Sequence, residues 1–270
     1  MVSWQSVKER DWQFALQNRV DLVVVAGGDG TVQKTFGQLL AIGVPATLLP
    51  LGSANNIARS LGFHDDDPEH LIAGWSDAET RLCDVVGVEG GRESELFVEA
   101  AGGGIFAAVL QRAADASDEL PADEKVEYGL QLLRDCIDAA SPERWELQLD
   151  DEELTTDLVA LELMNARSLG PNVPLAPDAE PGDGMVDVVL ISSDELPALR
   201  DHVDARLRDE GPKPLHLSRG RAEAVRVRPP PDHPLHVDDR IVPASYGAEQ
   251  KWLQVASAGQ ITVLVPSRQR

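Results

Sequence analysis

The chain has 270 residues, 43% of them hydrophobic, enough for one large domain or two modest ones. Its 46 acidic and 24 basic residues leave a formal charge of −22, a balance that argues against a nucleic-acid partner. No apolar run reaches the roughly 18–20 residues of a bilayer span. Met1 to Asn18 lack a leader-like apolar stretch, and Cys83 and Cys136 form no metal-ligand cluster, so a reduced, cytoplasmic protein is expected. Only five of the basic residues are lysines. An acidic, lysine-poor surface fits either life in concentrated salt or an ordinary acidic protein.

Residues 4–18 predict a short helix. Val20 to Ala26 (VDLVVVA) form a β-branched run, interrupted at Asp21, of the kind expected for a strand buried on both faces. A glycine turn and a helix over 32–41 follow. Val44 to Leu49 predict a second buried strand, ending in Pro50-Leu51-Gly52, with a helix over 53–61. Two strand–turn–helix units in succession imply a doubly wound parallel sheet. After about Arg81 the pattern changes. Strands are predicted at 83–88, 96–101, 143–149, 158–164, 185–191, 224–228 and 261–265, with helices at 123–139 and 195–210. Asp150-Asp151 is a hairpin turn candidate. The expected architecture is α/β: a doubly wound parallel-sheet nucleotide domain plus a mainly antiparallel β-sandwich second domain. The boundaries read as 1–82 for the first, 83–258 for the second, and 259–270 for a strand and tail that return to the first.

Gly27-Gly28-Asp29-Gly30-Thr31 carries the sharpest chemical signal. Glycines between a strand and a helix let backbone N–H groups approach a phosphate, and the helix N-terminus adds positive potential. A carboxylate there repels bare phosphate but suits one met through Mg²⁺. The plainer alternative has Asp29 capping the helix. Gly52, Ser53, Asn55 and Asn56 lie at the end of the adjacent strand, facing the same crevice in an open α/β sheet. They can donate hydrogen bonds to a nucleotide, or merely cap the next helix. His233 and His236 read as surface or packing residues, and Arg219-Gly220-Arg221 as a solvated turn.

These two loops, together with the following Ile57-Ala58-Arg59-Ser60-Leu61-Gly62, resemble the diacylglycerol-kinase catalytic family, which includes sphingosine and ceramide kinases. Phe97 to Ala107, Ala176-Pro177-Asp178-Ala179, Asp183-Gly184-Met185-Val186-Asp187 and Pro234 to Asp238 extend the resemblance in the family's order. NAD kinases share the first turn but fit the second loop and the Asp183–Asp187 segment poorly. The resemblance implies an ATP- and Mg²⁺-dependent lipid kinase with a cleft between an ATP-binding domain and a lipid-binding sandwich. It implies that Asp29 coordinates the catalytic Mg²⁺ and that Asp238 is the general base. Gly27, Gly28, Asp29, Gly30, Thr31, Gly52, Ser53, Asn55 and Asn56 would bind nucleotide. Asp183 and Asp187 would belong to a structural Mg²⁺ network. The expected partners are ATP and a membrane lipid with a free hydroxyl, met in transient contact at the membrane surface; a homodimer is left open.

Four departures qualify the resemblance. The family's opening strand and Asn-Pro loop are not among the residues before Gly27. Its late Asp-Gly-Glu reads Asp238-Asp239-Arg240, Gln33-Lys34 replace Asn-Glu, and Glu99 replaces Asn. Lys34 and Arg240 become candidate phosphate contacts. A weak or inactive member that binds lipid or nucleotide, or a soluble small-molecule kinase, stands as the alternative.

Overall fold

The structure is a computed structural model that describes residues 3–17, 20–63, 67–91, 93–114, 120–231, 233–242 and 252–267. A 3₁₀ turn at Trp12–Gln17 precedes β1 (Val23–Gly27), α1 (Asp29–Ile42), β2 (Ala46–Pro50), α2 (Asn56–Leu61) and α3 (Pro68–Ala73). Then come β3 (Glu79–Glu89), β4 (Glu95–Phe97), β5 (Ala100–Gly104), α4 (Ile105–Ala113) and α5 (Ala122–Asp138). The hairpin β6 (Glu143–Leu149) and β7 (Glu152–Leu158) leads to β8 (Ala160–Met164), β9 (Val186–Ile191) and α6 (Leu196–Leu207). The chain closes with β10 (Ser218–Ala222), β11 (Ala224–Arg228), β12 (Leu235–Val237), β13 (Arg240–Val242) and β14 (Leu253–Val265).

Two sheets organise these elements. One runs β1-β2-β14-β11-β6-β7, with β3 along the other edge of β14 and β4 on β3. Its β1–β2 pair is parallel, and β14 meets β2 in parallel at Val263↔Ala46. The second sheet, β10-β9-β8-β5-β12-β13, is antiparallel throughout. The chain is thus α/β, with a parallel-containing unit joined to a sandwich.

Three apolar clusters hold this together. Val25, Phe36, Leu39 and Leu48 pack the first unit. Trp145, Leu147, Leu161 and Val188 fill the space between the sheets. Ile105, Leu133, Met164 and Val203 pack helices on the outer face of the second sheet. The long strand β3 feeds two of them, Cys83 and Val85 in the first unit and Val86 and Val88 in the sandwich. At roughly 1.5–3 kcal/mol per fully buried large apolar side chain, these clusters are the main source of stability.

Several expectations are corrected. β1 is not buried on both faces: it lies at the sheet edge and Val24 is 41% exposed. The strand expected over 96–101 is split into β4 and β5, because the N–H groups of Val98 and Glu99 turn to the Asp238 carboxylate. The helix expected from Ser53 starts at Asn56. Arg219-Gly220-Arg221 is no turn but the middle of β10, paired with β9. The strand expected over 261–265 is the end of β14, which bulges between Ser257 and Gly259. The helix α4 and the strands β7, β10, β12 and β13 were not expected from the sequence.

Candidate active site

Asp29 is the first residue of α1, yet it does not cap that helix; Gly28 occupies the cap position. Its Oδ1 instead accepts from the Ile57 N–H at 3.0 Å, at the start of α2. The two loops are therefore tied to one another by the carboxylate. Burial raises the Asp29 pKa, against the opposing effect of the backbone N–H groups of 55–57. Gly28 is dictated by this contact: a Cβ there would stand 2.9 Å from the Gly52 Cα. Close approach of the two loops, and not of a ligand alone, requires glycine here.

Asn55 adopts a left-handed conformation, with φ 54°, and its side chain folds back onto its own loop. Its Oδ1 accepts from Gly52 N–H at 2.9 Å and its Nδ2 donates to Gly52 O at 2.8 Å. Asn55 thus shapes the loop. The buried Asn56 instead reaches outward, donating to Glu99 Oε1 at 2.8 Å and to Gly170 O at 3.0 Å, while its Oδ1 is buried with no partner.

Asp238 sits on the facing side, in the two-residue turn between β12 and β13. Its φ of 52° is left-handed, a conformation Asp tolerates better than most residues. The carboxylate is clamped by backbone. Oδ1 accepts from Val98, Glu99 and Ala100 N–H at 3.2, 2.9 and 3.3 Å, and Oδ2 from Val98 at 3.1 Å. Burial nevertheless pushes its pKa up to about 7, because desolvation outweighs the N–H groups.

Asp29, Asn56, Glu99, Asp238 and Asp239 line a cavity of about 200 Å³ together with the apolar Phe106, Val109, Leu110, Leu133 and Leu169. Two residues of this wall carry no local signal in the sequence. Glu99 appeared only as a departure, yet it accepts from both Asn56 and Gln33, the latter at 3.2 Å. Burial, then the charges of Asp29 and Asp238, hold Glu99 well above the usual carboxylate range. Asp239 comes within reach of the first turn: a Cβ on Gly30 would lie 3.0 Å from its Oδ2. Its φ is not left-handed, which explains how the family's glycine could become Asp here.

Other candidates lie elsewhere. Ser53 is half-buried beside Asn55. Gly27 and Thr31 pack on one another within the first turn. Lys34 is exposed one helical turn on. Arg240 is exposed, its guanidinium donating to Glu95 at 2.7 Å, and it does not line the cavity. Asp183 and Asp187 face Arg221 at the β9–β10 edge, outside the cavity wall. Asp187 is raised by burial and lowered by Arg219. His236 is not a surface residue: it is fully buried, pairs with Glu162 at 2.8 Å, and contributes to the cavity wall. A histidine between Leu235 and Val237 was the available signal, since one polar residue there must point away from the sandwich core.

As donors, the carboxylates suit a hard cation bound together with phosphate oxygens, since Mg²⁺ commonly takes one or two carboxylates and keeps waters. Asp29 retains Oδ2 for this. Among the described residues no three His, Cys, Asp or Glu are arranged as a ready-made metal cage. Also among them, no helix is long and apolar enough to cross a membrane.

Fold and cavity define a two-unit α/β-plus-sandwich protein with a glycine turn and a buried carboxylate facing one space. The family model "Diacylglycerol kinase catalytic domain" matches residues 6–88, and "YegS C-terminal NAD kinase beta sandwich-like domain" matches residues 100–209. The chain thus carries, in order, a match to a diacylglycerol kinase catalytic domain and a match to the sandwich domain of a YegS-type protein. It is similar to a diacylglycerol kinase of Mycobacterium tuberculosis, 26% identical over 80% of this chain and 69% of that protein. A Bacillus subtilis diacylglycerol kinase is 26% identical over 77% of this chain and 67% of that one. A Bacillus anthracis diacylglycerol kinase structure superposes with a TM-score of 0.69 at 20% identity, covering 96% and 84% of the two chains.

Proposed function

We propose that this chain is an ATP- and Mg²⁺-dependent kinase that transfers the γ-phosphoryl group to a hydroxyl of a diacylglycerol-like lipid. The observation that carries the reading is the mixed lining of the cavity, in which carboxylates and large apolar side chains share one space. A lipid with one free hydroxyl has that same polarity. A space of about 200 Å³ suits the hydroxyl-bearing end of such a lipid.

In this reading Asp29 holds Mg²⁺ through the oxygen not committed to Ile57, and the ion neutralises charge on the phosphates when bound. Gly27, Gly28, Gly30 and Thr31 offer backbone and hydroxyl groups to phosphate, while Gly52, Ser53, Asn55 and Asn56 shape and line the nucleotide side. Asp238 takes the proton from the lipid hydroxyl; a base with a pKa near neutrality suits that task. Lys34 can reach phosphate from α1, whereas Arg240 does so only by leaving Glu95. A structural Mg²⁺ at Asp183 and Asp187 would compete with Arg221. The functional units follow 1–82, 83–258 and 259–270, within a cytoplasmic protein that meets the membrane transiently, alone or as a homodimer.

One observation favours a second reading. Four carboxylates around one cavity repel phosphate unless a cation intervenes. A member that binds lipid without turning over ATP is the consequence if Mg²⁺ binds too weakly. The test is purified protein with Mg²⁺ and γ-labelled ATP against a panel of lipid and soluble alcohols. Label in chloroform-extractable product is the expected result. Nucleotide-dependent stabilisation with no labelled product would establish the second reading, and label only in soluble product would overturn the lipid assignment.

A further inference from the structure

Glu162, Gly102 and His236 lie in one row across three adjacent strands. The register pairs Glu162 of β8 with Gly102 of β5, and Gly102 with His236 of β12. A Cβ on Gly102 would collide with the Leu161 main-chain oxygen and with the Glu162 carboxylate. Glycine at this central position therefore leaves room for the outer two side chains to meet over the middle strand. They do meet, at 2.8 Å, and both are fully buried. Glu162 Oε1 has no partner, so this carboxylate is there for the histidine and little else.

The other ring nitrogen, Nδ1, lies 3.1 Å from the main-chain oxygen of Asp238. A carbonyl oxygen only accepts, so Nδ1 must carry a hydrogen. Burial alone would lower the His236 pKa, but the charge and hydrogen bond of Glu162 reverse this and raise it. Asp238 is the residue whose left-handed backbone turns its carboxylate onto the Val98–Ala100 amides. Tying down its carbonyl holds the same residue at a second point.

We propose that the Glu162–Gly102–His236 row is a positioning device for Asp238, in which His236 donates through Nδ1 to the Asp238 carbonyl and Glu162 orients the ring. Its catalytic consequence rests on the kinase reading above; the clamp itself does not. His236 reaches the main-chain oxygen of Asp238 and Glu162 does not line the cavity, so the two act through Asp238. A misplacement of about 1 Å can cost on the order of 10²-fold in rate.

Two variants separate the donors. His236→Asn keeps an amide near the Nδ1 position, and His236→Gln keeps one near Nε2. In the full chain, hydrogen exchange at the Val98–Ala100 amides should accelerate in His236→Gln and stay close to wild type in His236→Asn. With a lipid substrate, His236→Gln should lose about 10²-fold in kcat with KM for ATP unchanged, and His236→Asn should recover part of it. Folded His236→Gln with wild-type exchange at those amides overturns the proposal. So does a ring nitrogen spectrum of the wild-type protein at pH 7 showing an unprotonated Nδ1, a readout that needs no variant to fold. If the wild type phosphorylates no lipid yet the exchange pattern holds, the kinase reading fails and the clamp stands.

Discussion

Asp29 and Asp238 face the same cavity, and both accept hydrogen bonds from main-chain N–H groups, yet their surroundings differ. Asp29 stands at the start of a helix with one oxygen tied to Ile57 and the residue half-buried. Asp238 is buried in a strand turn, and both its oxygens are held by amides of the Val98–Ala100 segment. An oxygen left toward a solvent-reached space can share a cation with phosphates. A carboxylate whose position is set by several N–H groups, and whose proton affinity is lifted by burial, is instead suited to taking a proton at a fixed point. Two identical groups are differentiated by how much freedom the backbone leaves them.

Substitution should expose that difference most strongly. Asp29→Asn keeps an oxygen for the Ile57 N–H, so the melting temperature should stay close to wild type while kinase activity is abolished and Mg²⁺-dependent ATP binding is lost. Asp238→Ala should lower turnover by about 10²–10⁴-fold with a smaller change in ATP affinity. Indistinguishable changes in both quantities for the two variants would break the comparison. So would a well-folded Asp29→Asn protein that keeps most of its activity.

Titration sharpens it. The folded pKa of Asp238, about 7, stands above its unfolded value of 3.8. The folded state therefore holds this proton where the unfolded state has released it. The associated stability is fully present below about pH 4 and is lost as pH rises through about 7. Activity should run the other way, because the base must be ionised. We expect kcat to climb with pH on a limb centred near 7 in the wild type and to lose that limb in Asp238→Ala, measured as a pH–rate profile.

Salt should act more weakly and from outside. A chain at −22 repels itself, and the Debye length shrinks from about 10 Å at 0.1 M to about 3 Å at 1 M. The melting temperature should rise with KCl; a flat or falling curve marks an ordinary acidic protein. The smallest effect is expected at Arg240. Arg240 is 55% exposed in its pair with the 19%-exposed Glu95, so the neutral Arg240→Gln should cost about 1 kcal/mol in denaturant unfolding and change turnover little. A large fall in turnover would instead mark Arg240 as a phosphate contact.

The first of these two carboxylates was legible in the sequence and the surroundings of the second were not. Asp29 sits in a local pattern, a strand, three glycines and a helix, whose meaning lies in adjacent residues. Asp238 was singled out by resemblance, but its amide clamp and its neighbours depend on the register of β12 against β5, which no local pattern encodes. Glu99 entered the cavity for the same reason. β7 escaped notice because Glu152 to Thr156 are polar or exposed and alternate weakly, as a covered apolar strand would not. β10 escaped because Arg219 and Arg221 find carboxylate partners across the surface, so its charges do not mark a loop.

The long ribbon of β3 and β14 has a consequence for how the molecule is made. β14 completes the sheet that β1 and β2 begin, and β3 pairs with it from Glu79 to Glu89. During synthesis the first unit precedes the sandwich, but β14, which pairs with β2, emerges only after every strand of the second sheet. The early unit must wait on the ribosome with an open sheet edge and acquire its final strand only when the sandwich is already available to fold. Contacts of such long sequence separation slow folding. A nascent chain arrested before Leu253 should therefore leave the Gly27–Thr31 turn more open to protease attack than one extended past Val265.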